Sequence, residues 1–118
     1  MKEVKIPFNA WSKERLEKGL KLATTRKKRY GKIGDTFSVD IGKGTYIFQL
    51  IAIFPLTLYY VAKDLYNIEG AESPLEFRKV WEEIHSKLGW TPNKVAFVHL
   101  FKLERVNLPK KDYGWADS

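Results

Sequence analysis

The 118-residue sequence contains no cysteine. Disulfides, thiol nucleophiles, iron–sulfur clusters and cysteine-held zinc are therefore excluded. Histidine is scarce too: His85 and His99 are the only two, too few for a histidine-rich metal site, and neither a metal nor a cofactor is expected. No apolar run follows the start, where Met1-Lys-Glu-Val-Lys5 carries charge instead; a cytoplasmic protein is expected rather than an exported one. The longest charge-free stretch runs from Thr45 to Ala62, eighteen residues, close to the length of a membrane helix. Pro55 and Gln49 interrupt it, and Tyr46, Ile47, Phe48, Ile51, Ile53, Phe54 and Tyr59 give it the β-branched and aromatic bias of buried strands, so no membrane span is expected. Internal repeats and low-complexity linkers are also missing.

What is present is a globular balance. Apolar residues make up 44% of the chain, aromatic residues 14% and charged residues 30%, in 13.8 kDa. That suits one self-folding domain, expected as a monomer, over residues 1–106, with a polar tail over 107–118 that holds Tyr113 and Trp115. The net charge of +7 is not spread evenly: residues 13–32 contain nine basic residues and only Glu14 and Glu17, so this segment carries all of the excess. Such a block attracts phosphate backbones by releasing their counterions. A plainer explanation is a solvated lysine-rich surface of the heat-adapted kind, consistent with one Met and one Gln in the chain.

The elements follow from local signals. Val4–Phe8 reads as a short edge strand containing Pro7. Ser12 suits a helix N-cap, with Trp11 and Leu16 as a hydrophobic staple, Glu14 and Lys18 paired at i,i+4, and Gly19 as the stop. Lys21–Arg26 is too short and too β-branched for another helix and is expected to be an extended segment or a loop. In Thr36–Ile41, Phe37, Val39 and Ile41 alternate with polar residues as in a half-buried strand, and Gly42-Lys43-Gly44 turns the chain into a long strand over Thr45–Phe54. Leu58–Tyr66 reads as a short helix ended by the loop Asn67–Gly70. Ser73-Pro74-Leu75-Glu76 is a capping box with proline at the first helical position, and Phe77, Trp81, Ile84 and Leu88 then form one apolar face. Lys94–Val106 is the last strand, with Phe101 and Leu103 on one side and Val98 and Leu100 on the other. Trp11, Trp81, Tyr59 and Tyr60 are expected in the core, and His99 as a satisfied core or rim histidine without a role. No long helices separate parallel strands, so a small α+β barrel is favoured over a doubly wound sheet.

Chemistry then rests on Lys, Arg, Thr and Glu. In Gly19-x-Lys21-x-x-Thr24-x-Arg26, an extended segment puts Thr24 and Arg26 on one face, and Lys21 lies close enough to enter the same space. Glu69, in an apolar region before Gly70, needs a cation if it is buried, and Lys21 and Arg26 are the candidates. The plainer alternatives are polar groups that cap the first helix or face water, and a glutamate that satisfies loop backbone.

These residues resemble the ASCH domain, of the PUA-like superfamily. The resemblance rests on Gly19, Lys21, Thr24 and Arg26 in G-x-K-x-x-T-x-R, Gly34-Asp35 before a strand, Glu69-Gly70 before a Ser73-led helix containing Trp81, and a final strand with Phe101; it covers roughly residues 4–104. It implies a PUA-like β-barrel with a mixed, mostly antiparallel sheet flanked by two to three helices, and a cleft for RNA or a nucleotide-like ligand. Lys21, Thr24, Arg26 and the basic run Lys27, Lys28, Arg29 and Lys32 would then hold that ligand. Some small proteins of the family deacetylate N4-acetylcytidine with a Lys, a Thr and a Glu, roles that fall on Lys21 as base, Thr24 as nucleophile and Glu69 as proton shuttle. Other members are proposed ribonucleases or binding modules only. The basic run and the extension to Trp115 depart from the small hydrolases and point to a larger, phosphate-bearing ligand. A protein–protein adaptor is a third reading.

Overall fold

The computed structural model describes residues 2–108. Three helices flank a curled four-stranded sheet: α1 (Ala10–Glu17), β1 (Ala23–Arg26), β2 (Thr36–Ile41), β3 (Gly44–Thr57), α2 (Leu58–Asp64), α3 (Pro74–Ile84) and β4 (Val95–Asn107). The spatial order is β1-β4-β3-β2, and every ladder is antiparallel. Among the described residues, parallel pairing is confined to one bridge between Glu3 and Thr36. The sheet is a half-barrel, with β1 and β2 as its edges. Register shifts between Ile47 and Phe48 and between Leu50 and Ala52 bend β3 against β4, as bulges do.

β2 and β3 form from the expected alternation. Phe37, Val39 and Ile41 are buried and their neighbours face outward, and Gly42, at a φ of 59°, makes the turn that pairs Ile41 with Gly44. β3 runs past Phe54 through Pro55 to Thr57. β2 pairs only as far as Gln49, so the far half of β3 has a free edge where a residue without an N–H loses no ladder bond. The eighteen uncharged residues are thus strand and short helix, and no helix among the described residues is long and apolar enough to cross a membrane.

Two apolar clusters hold the halves together. One joins Leu16 of α1 to Phe37, Val39 and Ile41 of β2, Phe48 and Leu50 of β3 and Phe101 of β4. The other gathers Leu58 and Val61 of α2, Phe77 and Trp81 of α3, and Ala23, Ala96 and Val98 of β1 and β4.

Several expectations change. Val4–Phe8 is not a strand; its backbone contributes the bond from the Val4 N–H to the Thr36 carbonyl beside the single bridge. α1 is capped by Asn9, whose side chain accepts from the Ser12 N–H, so Ser12 and Trp11 lie inside the helix. α3 ends at Ile84, which leaves Ile84 and Leu88 exposed rather than on a packed face. Tyr59 and Tyr60 are about half exposed, 49% and 48%, and stack edge-on against each other outside the core. Leu103 is exposed as well, because β4 outruns the helices that cover it. Asn107, assigned to the tail, pairs with Thr45 as the last residue of β4; Tyr113 and Trp115 lie outside the described residues.

Candidate functional site

Two backbone features set Glu69 against β1. The Ile68 carbonyl accepts from the N–H groups of both Leu22 and Ala23, which ties the 67–70 loop to the start of the strand. Gly70 then turns at a φ of 97°. A Cβ there would lie 3.1 Å from the Arg15 side chain, whose Nε donates to the Gly70 carbonyl at 2.8 Å, so both conformation and space call for glycine.

The result is a buried polar cluster. Lys21 Nζ donates to the Glu69 carbonyl at 2.9 Å and to its Oε1 at 3.4 Å, while the Thr25 hydroxyl donates to Oε2 at 2.7 Å. Lys21 is 5% exposed and Glu69 3%. Of the two cations considered for Glu69, the structure selects Lys21. Arg26 is directed elsewhere: its Nε donates to Thr24 Oγ1 at 3.0 Å, a second guanidinium nitrogen donates to the Pro7 carbonyl at 2.6 Å, and its plane lies over Phe8. Thr24 and Arg26 do share a face, as alternation requires.

Burial lowers the pKa of Lys21 from its ordinary value, and the nearby guanidiniums of Arg26 and Arg15 push the same way against the opposing pull of Glu69. Burial also lowers Arg26, which nevertheless keeps its charge at any physiological pH. His99 is fully enclosed. Its Nδ1 faces the Thr24 and Phe97 carbonyls and must donate, and its Nε2 accepts from the Tyr30 N–H at 3.0 Å, so the ring is neutral and stitches β4 to β1 and to the turn that follows. Burial lowers its pKa too. The expectation of a satisfied core histidine fits this geometry.

Lys21, Thr24, Thr25, Arg26 and Glu69 floor a cleft of about 590 Å³. Pro7, Phe8, Asn9, Trp11 and Ser12 form one wall; Phe77, Val80, Trp81, Ile84 and His85 of α3 and its C-cap form another. Lys27, Lys28 and Tyr30 complete it. The cleft therefore unites Lys21, Thr24, Arg26, Lys27, Lys28 and Glu69. It does not include Arg29, whose guanidinium lies over Phe97, or Lys32, which is exposed beyond the turn. Sequence reasoning missed Thr25, because strand alternation points it away from Thr24. β1 is an edge strand, however, and a cleft along a free edge takes side chains from both faces. His85 was missed as well; its ring stacks on Trp81 at 4.1 Å and its Nδ1 donates to the Trp81 carbonyl. Among the described residues, no group of His, Asp or Glu could hold a metal ion.

No protein-family model and no curated protein matches the sequence. Solved structures do. The chain is similar to an ASCH domain from Lactobacillus crispatus JV V101 at a TM-score of 0.61 and 14% identity, over 86% of this chain and 78% of that one. It is also similar to a DUF984 protein from Enterococcus faecalis V583, at a TM-score of 0.67 and 17% identity over 96% and 81% of the two chains. A third likeness is to an ASCH protein from Zymomonas mobilis, at a TM-score of 0.61 and 14% identity over 92% and 75%. The architecture is thus the α+β fold seen in these ASCH structures, the fold that the resemblance implies.

Proposed function

We propose that this chain is a cytoplasmic, monomeric ASCH-type module that binds RNA or a nucleotide-like ligand in the cleft. One observation carries the reading: an aromatic and aliphatic slot of nucleotide size bears four cations, Lys21, Arg26, Lys27 and Lys28, against a single carboxylate that Lys21 and Thr25 already engage. A base fits the apolar walls near Phe8, Trp11 and Tyr30, and the exposed Lys27 and Lys28 meet the phosphate. The test is binding of a fluorescent single-stranded oligoribonucleotide across a salt series. Affinity should fall steeply with salt and be lost in Lys27→Glu/Lys28→Glu; affinity indifferent to both overturns the reading.

A second reading is favoured by the Lys21–Glu69 pair beside Thr24. Arg26 donates to Thr24 Oγ1, which leaves the hydroxyl proton free to go to a base and puts a cation where alkoxide charge develops. A desolvated Lys21 amine is the base in this reading, Glu69 its anchor and proton shuttle, and an acylated nucleobase such as N4-acetylcytidine the substrate. Release of cytidine by wild type but not by Thr24→Ala, with partial turnover in Thr24→Ser, is the expected result. Equal turnover in wild type and Thr24→Ala removes Thr24 from the mechanism.

A further inference from the structure

The cleft does not end at α3. Lys27, Ile84 and His85 also wall a second depression of about 290 Å³, completed by Ser86, Lys87 and Leu88. Three residues line both, so the two depressions adjoin across Lys27, Ile84 and His85. The far side is ordered: the His85 carbonyl accepts from the N–H groups of Leu88 and Gly89, closing a turn that presents the exposed Lys87. His85 stacks on Trp81 and is half-buried, and it lines the depression together with Lys27. The pattern is a pocket, a cation beside a flat ring, a smaller pocket, and a second cation.

Building on the RNA-binding reading, we propose that the cleft takes two consecutive nucleotides of an unpaired RNA strand. The first base occupies the main cleft, the linking phosphate meets Lys27 at the junction, and the second nucleotide lies across His85 with its outer phosphate on Lys87. A free nucleoside would leave the second depression and Lys87 without a part to play. A duplex is excluded by the same geometry, because a base reaches a slot of this kind only when it is unpaired and turned out of its stack.

The experiment compares cytidine 5′-monophosphate with the dinucleotide CpC carrying a 5′-phosphate, by calorimetry at one fixed low salt concentration. The dinucleotide should bind about fivefold tighter or more, the weak end of what one additional stacked base supplies. Lys87→Glu should remove that gain and leave monophosphate affinity unchanged, while Lys43→Glu, in the hairpin at the opposite sheet edge, should change neither. Equal affinities for the two ligands in wild type, or a Lys87→Glu loss of the same size for both, overturns the two-nucleotide site while the binding reading stands. Binding of neither ligand overturns both. Lys87 is exposed in a turn, so its replacement tests the contact rather than folding.

Discussion

The two edge strands of the sheet are built on opposite principles. β2 buries Phe37, Val39 and Ile41 and turns Ser38 and Asp40 to water, so its inner face is wholly apolar. β1 buries Thr24 and Thr25, half-buries Arg26, and follows directly on the buried Lys21. An edge needs covering in either case. β2 is covered by packing that costs nothing in desolvation; β1 is covered by a polar cluster whose buried side-chain nitrogens and oxygens are all hydrogen-bonded, with no orphan among the described residues. Removing two charges from water is expensive, and their mutual attraction only roughly offsets it. The β1 edge thus gives up stability that an apolar design would have kept, and it does so at the floor of the cleft.

The largest expected effect breaks the β2 side. Phe37 is fully buried and contacts the rings of Phe8, Phe48 and Phe101 at centroid distances of 5.7, 5.3 and 5.3 Å. Phe37→Ala should cost about 3–5 kcal/mol in urea unfolding, the range for an aromatic ring lost from a core. RNA affinity of the molecules that remain folded should fall far less than stability does, because Phe37 reaches the cleft only through Phe8.

Next is the β1 side. Glu69→Gln strands a buried ammonium, which costs about 3–5 kcal/mol if the lysine keeps its proton. Lys21 already has a lowered pKa and can shed that proton, so the expected loss is about 3 kcal/mol. The sharper comparison converts one edge into the other. Lys21→Met/Thr25→Val/Glu69→Leu removes both charges and the hydroxyl that served them. Such swaps are commonly neutral or stabilising by about 1–4 kcal/mol. The Glu69 carbonyl loses the donor it has in Lys21, at about 1 kcal/mol, so a net gain near 1 kcal/mol is expected together with loss of ligand binding. A large destabilisation would show that the cluster holds the fold rather than the ligand.

The two edges differ in how far the sequence reveals them. Ser73 and Glu76 are three residues apart and declare the start of α3, since a capping box is closed by local bonds, and the Glu76 N–H donates to Ser73 as expected. The alternation in Thr36–Ile41 likewise states which face of β2 is inward. Asn9 and Ser12 show the limit of such signals. Both are good caps one turn apart, and the choice falls to Asn9 because the Ser12 N–H is the group its side chain satisfies. Glu69 was legible as a carboxylate in need of a cation, and Lys21 as one of two candidates. Forty-eight residues separate them, and only the tertiary bonds from Leu22 and Ala23 to Ile68 bring them together. Thr25 and His85 were illegible for a similar reason: neither carries a local pattern, and each becomes part of the cleft through what the edge strand and the end of α3 enclose.

The pH dependence should separate the edges in the same way. Lys21 has a lower pKa folded than unfolded, so between that value and 10.5 the unfolded chain binds more protons and stability rises with pH. The penalty is fully present below the folded pKa and fades as pH approaches 10.5. The apolar triple variant lacks it, so its stability advantage over wild type should narrow as pH rises from the folded pKa of Lys21 towards 10.5. A constant gap would mean that Lys21 holds its proton as firmly when folded as when unfolded. On the acid side His99 acts with the same sign: its lowered pKa makes the unfolded chain take up a proton first as pH falls through 6.5, so stability declines there. Imidazole NMR should find the Nδ1–H tautomer and a titration midpoint below 6.5.

The smallest effect belongs to the shortest ion pair among the described residues. Arg78 and Glu82 on α3 approach to 2.7 Å, closer than the 3.4 Å between Lys21 and Glu69. Distance favours the surface pair, but solvent decides otherwise. Its side chains are 50% and 37% exposed against 4% each for the buried pair, and water and salt screen most of the attraction. Arg78→Ala should therefore shift stability by about 0.5 kcal/mol or less, with part of that coming from the guanidinium lying over Trp90. The shift should shrink further in about 1 M salt, while the loss in Glu69→Gln should persist, because the buried pair lies out of reach of the screening ions. If the two variants responded alike to salt, the β1 edge would be wet, and the contrast with β2 would be one of composition without energetic consequence.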